Sequence, residues 1–464
     1  MWPDSYAHSE LEDYRLLYLR DGLIVTGDGA TAPYRGTLII DRDRIAAVER
    51  RDYSGGISDK SVQLHGRLVM PGAIDPHAHA VAPGPRFASG TPGVSLCESL
   101  GNLRRHLAQG HTTVVDLDGF KVPDETAQVR DIQPVRVESA TVHFDPMFEA
   151  ADAVDGTGLS SVHREMTAQA MVQHGACVIG EVGAGMTLGG GGQDYMYIPA
   201  AIELETGVRL KSAQAAQLKY AVLGRRIAPG HPDMSRVASL LLEYGLSAHL
   251  SPDRACRLIE ESVMPSLAAA LKGVVESANV AKAVGIPTLV HNSAPSDEAT
   301  REASRIAGPL LIAGHSNHKT FDIAEAIATA EYVRSNGSVV EVDTFDSWGE
   351  RDLDPRPTTL LALVEKGLVD IFATDYAAGS WDGMFEAVED VWRNGAATLE
   401  QAVAMATGNV AKALPSLRQS RGLLRSGLYA DVVCAHPQHP SLIEAVYLGG
   451  SLVLTPRNEG PWVQ

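Results

Sequence analysis

Short apolar runs alternate with longer amphipathic stretches through the middle of the chain, between residues 68 and 420. Alternation of this kind predicts strand–helix units that build a parallel sheet. Helical stretches lie between most of the runs, and eight strands with such helices fit a closed TIM-type (β/α)8 barrel better than an open doubly wound sheet. The predicted barrel strands are 68–74, 112–117, 135–142, 177–182, 287–290, 310–313, 338–342 and 371–373.

The two ends of the chain carry a different pattern, in which short β-type runs are separated by turn formers such as Gly55-Gly56 and Gly449-Gly450. Isolated short strands of this kind are not stable alone. We therefore expect one small β-sandwich made from residues 14–67 and 421–458, with the barrel of residues 68–420 inserted between them. The fold class is thus α/β, with a barrel inside a composite sandwich.

An unusually long interval separates the fourth and fifth predicted strands. About a hundred residues without a barrel strand exceed any ordinary loop, and the interval contains helical stretches at 212–223, 234–244 and 254–283. We interpret residues 185–285 as a helical insertion, either over the barrel mouth or at an oligomer contact. Its glycine-rich start, 185–193, lacks the Lys-Ser/Thr of a phosphate-binding loop, which favours a mobile lid.

Composition narrows the class of partner. The formal net charge of −18 argues against nucleic acid or an anionic membrane, since both require a basic surface. Four scattered cysteines do not form a disulfide framework, and no apolar run approaches a membrane span. We expect a cytoplasmic protein whose partner is a small molecule rather than a polyanion, and a homo-oligomer is a fair expectation for a barrel of this size.

The most informative motif is the apolar strand that runs into His77-Ala-His79. Alternation along a strand places both imidazoles on one face, and two imidazoles on one face can bind one divalent cation. In a barrel, catalytic residues come from this carboxyl end of the strands. The motif alone is weakly specific, but its position at the end of the first predicted barrel strand strengthens it.

Four further predicted strands also end in side chains that can bind metal. A lone histidine there is usually structural, and a lone aspartate usually caps a helix. A buried carboxylate after an apolar strand needs a partner, and a metal would supply one. Because these side chains recur at one edge of a single barrel, we interpret them together as a metal centre. They are Glu181 after strand four, His291 after strand five, His315 after strand six and Asp375 after strand eight.

This order of residues resembles the amidohydrolase superfamily, and the resemblance covers nearly the whole chain. The stretch from Met405 to Ala413 and the return at Gly427-Leu-Tyr-Ala-Asp431 are also typical of that superfamily. Many members bridge two metals with a carbamylated lysine, whereas this chain has Glu181 at the corresponding position. In that respect it is similar to the enamidase branch, from which it departs in the long insertion and in Ser316-Asn-His318.

The resemblance implies a binuclear site. His77, His79 and Asp375 would hold one divalent ion, His291 and His315 the other, and Glu181 would bridge them. Zinc is the first expectation, while iron, manganese and cobalt also suit these ligands.

The implied reaction is hydrolysis of the C–N bond of a linear or cyclic amide by metal-bound hydroxide. Asp375 would act as the proton carrier, His318 would donate to the carbonyl oxygen from the outer shell, and His143 would line the substrate pocket.

Two alternatives stay open at this point. Relatives of comparable length hydrolyse phenylureas, carbamates or thiocarbamates. A mononuclear deaminase of an aminated ring could also be assembled from His77, His79, His291 and Asp375, although no proton-shuttling glutamate directly follows His291. A scaffold protein that has lost its ligands is disfavoured because all six expected ligands are present.

Overall fold

The structure is a computed structural model that describes residues 16–455, except for residues 54, 55, 57, 58, 131, 155, 185, 186, 189–191, 345–357 and 377–380. The strands in chain order are β1 Leu17–Ile24, β2 Tyr34–Asp41, β3 Arg44–Glu49, β4 Lys60–Gln63, β5 Leu68–Pro71, β6 Ala73–Ala78, β7 Gly84–Arg86, β8 Thr91–Val94, β9 His111–Asp116, β10 Arg136–Thr141, β11 Val178–Val182, β12 Thr288–His291, β13 Leu311–Gly314, β14 Val339–Asp343, β15 Ile371–Ala373, β16 Val432–His436, β17 His439–Leu448 and β18 Ser451–Leu454.

Helices cover the outside of the barrel and fill the insertion. Outside the insertion, the α-helices are Leu96–Ala108, Pro123–Arg130, Asp145–Val154, Ser161–Glu165, Ala168–Gln173, Asp297–Ala307, Ile323–Ser335, Thr358–Glu365, Met384–Arg393, Leu399–Ala406 and Gly408–Ala413. Within it they are Ile198–Thr206, Ser212–Leu223, Met234–Glu243 and Pro252–Val284, preceded by a π-helical turn at Gln193–Tyr197.

Eight parallel strands form the barrel in the order β6, β9, β10, β11, β12, β13, β14 and β15. The first and eighth strands approach each other through a parallel bridge between Ala78 and Tyr376. Beside that bridge, the Thr374 hydroxyl donates to the carboxylate of Asp75. The predicted fold class, a (β/α)8 barrel joined to a β-structure from both chain ends, is confirmed.

The first predicted barrel strand, 68–74, is wrong in its boundaries. Residues Leu68–Pro71 pair with β1 and β16 in the terminal sheet, and a new strand, Ala73–Ala78, enters the barrel. The change of sheet occurs at Gly72, where a β-carbon would lie 2.2 Å from the Thr112 side chain. An uninterrupted apolar run conceals such a corner, because periodicity cannot show where a strand changes its partners.

The terminal sheet joins both ends of the chain in the order β18, β17, β16, β5, β1, β2 and β3, with β4 also beside β1. A bulge between Leu19 and Gly22 lets β1 pair with β4 through its first half and with β5 through its second. Strands that change partners at a bulge form the corners of sandwiches. This unit encloses its own apolar core, which includes Leu19, Leu38 and Val432.

Four α-helices follow β11 before β12 begins, and the longest of them has clear end signals. Ser251 accepts a hydrogen bond from the Arg254 backbone, Pro252 opens the helix Pro252–Val284, and Gly285 ends it in the left-handed conformation. The predicted lid at 185–193 lies partly outside the described residues.

The insertion is attached to the loops that follow barrel strands five and six. Ser293 donates to the carbonyl of Leu188 over 2.9 Å. Arg225 donates to the carbonyl of Thr320 over 2.6 Å, and Arg226 to that of Ala294 over 3.3 Å. The insertion therefore contacts the rim of the barrel mouth.

Within the described part of the chain, no helix is both long enough and apolar enough to cross a membrane. All four cysteines are free.

Candidate metal centre

The structure brings the six predicted ligands together at the carboxyl end of the barrel. We call them the metal centre: His77, His79, Glu181, His291, His315 and Asp375. Five of them are at most 4% exposed in their side chains, and Asp375 is 20% exposed. His315 and Asp375 have φ angles of 56° and 46°. Residues other than glycine rarely adopt this left-handed region, and such positions often occur at functional sites.

Glu181 lies between two pairs of histidines and presents one oxygen to each pair. Its Oε2 is 3.8 Å from Nε2 of His77 and 3.7 Å from Nε2 of His79. Its Oε1 is 2.6 Å from Nδ1 of His291 and 2.9 Å from Nε2 of His315. The carboxylate thus faces both histidine pairs, as a bridging ligand would have to do.

Asp375 completes the group around the first pair. Its Oδ1 is 3.4 Å from Nε2 of His77 and 3.3 Å from Nε2 of His79. Tetrahedral ligand atoms at about 2.0–2.2 Å from an ion lie roughly 3.3–3.6 Å apart. The spacing around the first pair is therefore close to what one ion needs.

Hydrogen bonding also fits an ion at the centre. The Nε2 atom of His77 is buried and has no hydrogen-bond partner among the described residues, although it faces two carboxylates. A buried polar atom without a partner is costly, and an ion would satisfy it. The second pair is packed more tightly around Glu181, and its two distances to Oε1 would have to lengthen by about 0.4–1.0 Å to reach that spacing. Imidazole and carboxylate donors suit zinc, iron, manganese or cobalt.

The electrostatics of the centre are dominated by acidic groups. Burial alone would lower the pKa of His77, but Glu341 and Glu181 raise it well above its ordinary value. The same competition raises the pKa of His315 well above its ordinary value, because burial is outweighed by Asp343 and Asp375. Without an ion, protons on these imidazoles compensate the negative charge. A divalent cation can replace them.

Three carboxylates that are not among the six ligands are hydrogen-bonded to three of the four histidines, and sequence reasoning missed them. We call them the outer carboxylates. Glu341 Oε1 lies 2.9 Å from Nδ1 of His77, and Asp118 Oδ1 lies 2.9 Å from Nδ1 of His79. Asp343 pairs with Nδ1 of His315. Metal-binding histidines usually make such a bond through their other ring nitrogen. The sequence signal was a carboxylate inside or just after an apolar strand, as in Val339-Val-Glu-Val-Asp343.

A buried cation supports one of these carboxylates. Lys121 Nζ lies 2.6 Å from Asp118 and 2.8 Å from Asp116, and its side chain is 3% exposed. Burial would raise the pKa of Asp118, but Lys121 and His79 lower it. Asp118 is therefore charged and can hold the His79 ring.

The structure places His318 beside the metal centre, and His143 lies among aromatic side chains just after β10. The His318 ring centroid is 5.1 Å from that of His291 and 6.0 Å from that of His315. His143 packs instead against Phe120 at 5.6 Å, and burial lowers its pKa to about 4. The predicted roles of these two residues stay predictions.

A second buried histidine pair, His106 and His111, lies near Asp75 between the barrel and its helices, and sequence reasoning did not single it out. The two Nδ1 atoms are 2.8 Å apart. Because the Met384 backbone N–H donates to Nε2 of His111, the neutral His111 ring carries its hydrogen on Nδ1 and donates it to His106. Burial lowers the pKa of both rings, so a neutral hydrogen-bonded pair accounts for them.

Solved structures share this fold over nearly the whole chain. A prolidase complexed with N-methylphosphonate-L-proline gives a TM-score of 0.56 at 16% identity, over 95% of this chain and 100% of that one. The ochratoxinase of A. niger gives 0.55 at 17% identity, over 97% and 98%. A structure described as an amidohydrolase gives 0.53 at 15% identity, over 96% and 100%. No protein-family model matches the sequence, and no curated protein matches it.

At these identities the likeness concerns the fold. It covers both the barrel and the sheet made from the two chain ends, since almost all of this chain and of each neighbour is matched. The chain therefore shares the fold of these solved structures, a (β/α)8 barrel joined to a sheet made from both chain ends.

Proposed function

We propose that this protein is a metal-dependent hydrolase that cleaves the C–N bond of a linear or cyclic amide. The observation that carries the proposal is the position of Glu181, whose two oxygens face two different histidine pairs. His77, His79 and Asp375 would hold one divalent ion, His291 and His315 the other, and Glu181 would bridge them. Zinc is the first expectation. Ions bound there would lower the pKa of a water molecule and polarise the substrate carbonyl.

Asp375 is the proton carrier in this proposal. Burial would raise the pKa of its carboxyl, but His315 and the neighbouring histidines lower it. It is also the most exposed member of the metal centre, so substrate and water can reach it. As a carboxylate it accepts a proton from the attacking water and returns it to the nitrogen. The carbon–oxygen bond forms and the carbon–nitrogen bond breaks, which gives a carboxylic acid and an amine from a linear amide, or one ring-opened molecule with both groups from a cyclic amide.

His318 and His143 have supporting roles. His318 lies beside His291 and is proposed to donate a hydrogen bond to the carbonyl oxygen as negative charge develops there. His143 is proposed to line the substrate pocket, since its buried Nε2 has no hydrogen-bond partner among the described residues.

An amide is favoured because a neighbour of this fold is a prolidase solved with N-methylphosphonate-L-proline. A small-molecule substrate, a cytoplasmic location and a homo-oligomeric state complete the proposal.

The test is the ion content per chain, measured by plasma mass spectrometry, together with a screen of amides, lactams, ureas, carbamates and aminated rings. We expect about two ions in the wild-type protein, and one or none in Glu181→Ala and His291→Ala. Glu138→Gln is a matched control, since Glu138 is a buried barrel carboxylate that pairs with Arg136.

The outcomes separate the alternatives. One ion that survives Glu181→Ala would contradict the bridge, and ammonia release from an aminated ring would then indicate a deaminase. Hydrolysis of ureas, carbamates or thiocarbamates but not amides would show that the substrate belongs to one of those classes and is not an amide. A protein that binds no ion and hydrolyses none of these compounds would contradict the proposal as a whole.

A further inference from the structure

The two proposed ion sites are held unequally by their surroundings. We call His77 and His79, with Asp375, the first site, and His291 and His315 the second site. Each imidazole binds an ion through one ring nitrogen, so the partner of the other nitrogen decides how firmly the ring is oriented.

Both histidines of the first site are fixed by buried carboxylates. The Nδ1 of His77 is 2.9 Å from Glu341, and neither side chain is exposed to solvent. The Nδ1 of His79 is 2.9 Å from Asp118. Asp118 is itself held by Lys121 and by the backbone N–H of Ala80 at 2.9 Å. Both rings are therefore oriented before an ion arrives.

Only one histidine of the second site has such support among the described residues. His315 pairs through Nδ1 with Asp343. His291 turns its Nδ1 toward the proposed bridge, Glu181, and its buried Nε2 makes no hydrogen bond within the described part of the chain. The packing of His291 therefore has to orient the ring without an outer carboxylate.

A single strand supports both sites, although it contributes no ligand of its own. Glu341 and Asp343 lie two residues apart on β14, so their side chains share one face of the strand. Glu341 reaches a histidine of the first site, and Asp343 reaches one of the second. Removing one carboxylate should thus affect one site more than the other.

From this asymmetry we propose that the first site binds its ion more tightly than the second, and that Glu341 and Asp343 are positioning residues that set the two affinities separately. This inference rests on the proposed binuclear centre. Removing an outer partner of a metal-binding histidine typically weakens metal affinity by about 10–100-fold.

The experiment is a titration of ion-free protein with Zn2+ in competition with a chromophoric chelator. We expect two steps in the wild-type protein, with dissociation constants that differ by about tenfold or more. Glu341→Gln should weaken the tighter step by about 10–100-fold, and Asp343→Asn should weaken the looser step by a similar factor. His291→Asn identifies the looser step by removing it.

Asp370→Asn is the matched control. Asp370 is a barrel carboxylate beside the start of β14, where it pairs with Arg334 and accepts from the backbone of Val340. Its replacement should leave both steps unchanged. Circular dichroism reports whether each variant folds. If Glu341→Gln does not fold, Asp118→Asn tests the first site through His79.

Two equal steps would overturn the inference, as would equal weakening of both steps in every variant or loss of the tighter step in His291→Asn. Failure of the proposed function looks different, because the wild-type protein would then take up no ion or only one.

Discussion

The backbone N–H of Thr320 donates to Nδ1 of His318 over 3.2 Å, and the Thr320 hydroxyl lies 2.8 Å from the same nitrogen. A backbone N–H can only donate, so Nδ1 of His318 carries no hydrogen and the neutral ring carries it on Nε2. Burial, together with His291 and His315, lowers the pKa of His318 well below its ordinary value. The ring is therefore neutral at physiological pH and offers one N–H donor.

His318→Phe removes this donor but keeps a ring of similar shape. We expect kcat to fall by about 10²–10³, the usual effect of removing one donor to a developing oxyanion, while the ion content stays unchanged. His318→Gln, which retains a donor, should lose less. Steady-state kinetics on the substrate found by screening, with ion analysis of the same samples, checks this. An unchanged kcat in His318→Phe would show that His318 takes no part in the reaction.

The pH dependence of stability should differ between ion-free and ion-loaded protein. Burial would lower the pKa of His79, but its bond to Asp118 prevails and raises the pKa to about 9. A group whose pKa is raised on folding stabilises the fold below its unfolded pKa of about 6.5, and this contribution is lost as the pH rises through about 9. The ion-free protein should therefore become less stable between pH 6.5 and pH 9.5.

Urea unfolding at several pH values measures this effect. His79→Asn is the control, because it removes one titrating ring and should reduce the dependence, while His77 and His315, whose pKa values are also raised, maintain the rest. Saturating Zn2+ should reverse the loss, because an ion takes the place of the proton and binds more tightly as the ligands deprotonate. A free energy of unfolding that rises with pH in the ion-free protein would contradict the assignment of charge at the centre.

Thiol labelling should find one reactive cysteine in the folded protein. Cys97 is exposed, whereas Cys177, Cys256 and Cys434 are buried. Burial raises the pKa of Cys177 and of Cys256, and that of Cys434 to about 12. Since the thiolate is the reacting form, Ellman's reagent at pH 8 should label one thiol rapidly and four after unfolding. Cys97→Ser should abolish the rapid phase. A second rapidly labelled thiol would contradict the burial of the other three cysteines.

Gly72→Ala tests the corner between the terminal sheet and the barrel. The added β-carbon would lie 2.2 Å from the Thr112 side chain, so β6 or β9 has to shift. We expect a loss of about 1–3 kcal/mol in the free energy of unfolding, measured by urea denaturation. Gly101→Ala is the control, because its β-carbon would meet nothing within 4 Å in a helix. Gly101→Ala should raise the free energy of unfolding by about 0.5–1 kcal/mol. Equal effects of the two substitutions would contradict the close contact at Gly72.

Much of the fold could be predicted because its signals are local. Seven of the eight barrel strands lie within one or two residues of their predicted bounds, as β15 at Ile371–Ala373 shows. The first strand could not be bounded, because the corner at Gly72 depends on which sheet each half of the run joins.

The residues that follow the barrel strands could also be predicted from local sequence signals. His77, Glu181, His291, His315 and Asp375 follow apolar runs, and parallel strands of one barrel bring their carboxyl ends to one edge. Their meeting therefore followed from chain order and strand direction.

The outer carboxylates could not be predicted from the sequence. Glu341 looks like an ordinary polar residue inside a strand, and Asp118 looks like a turn former after a different strand. Which histidine each would hold depends on distances across the barrel of a few ångströms, between residues up to 264 positions apart.

By itself, then, the sequence determined which side chains gather at the barrel mouth, since strand periodicity and direction are properties of each segment. Only the tertiary structure decided which oxygen of Glu181 faces which histidine pair, and which rings are held by a carboxylate. The physical reason is that hydrogen bonds form over about 3 Å, a scale that only the packing of all eight strands together sets.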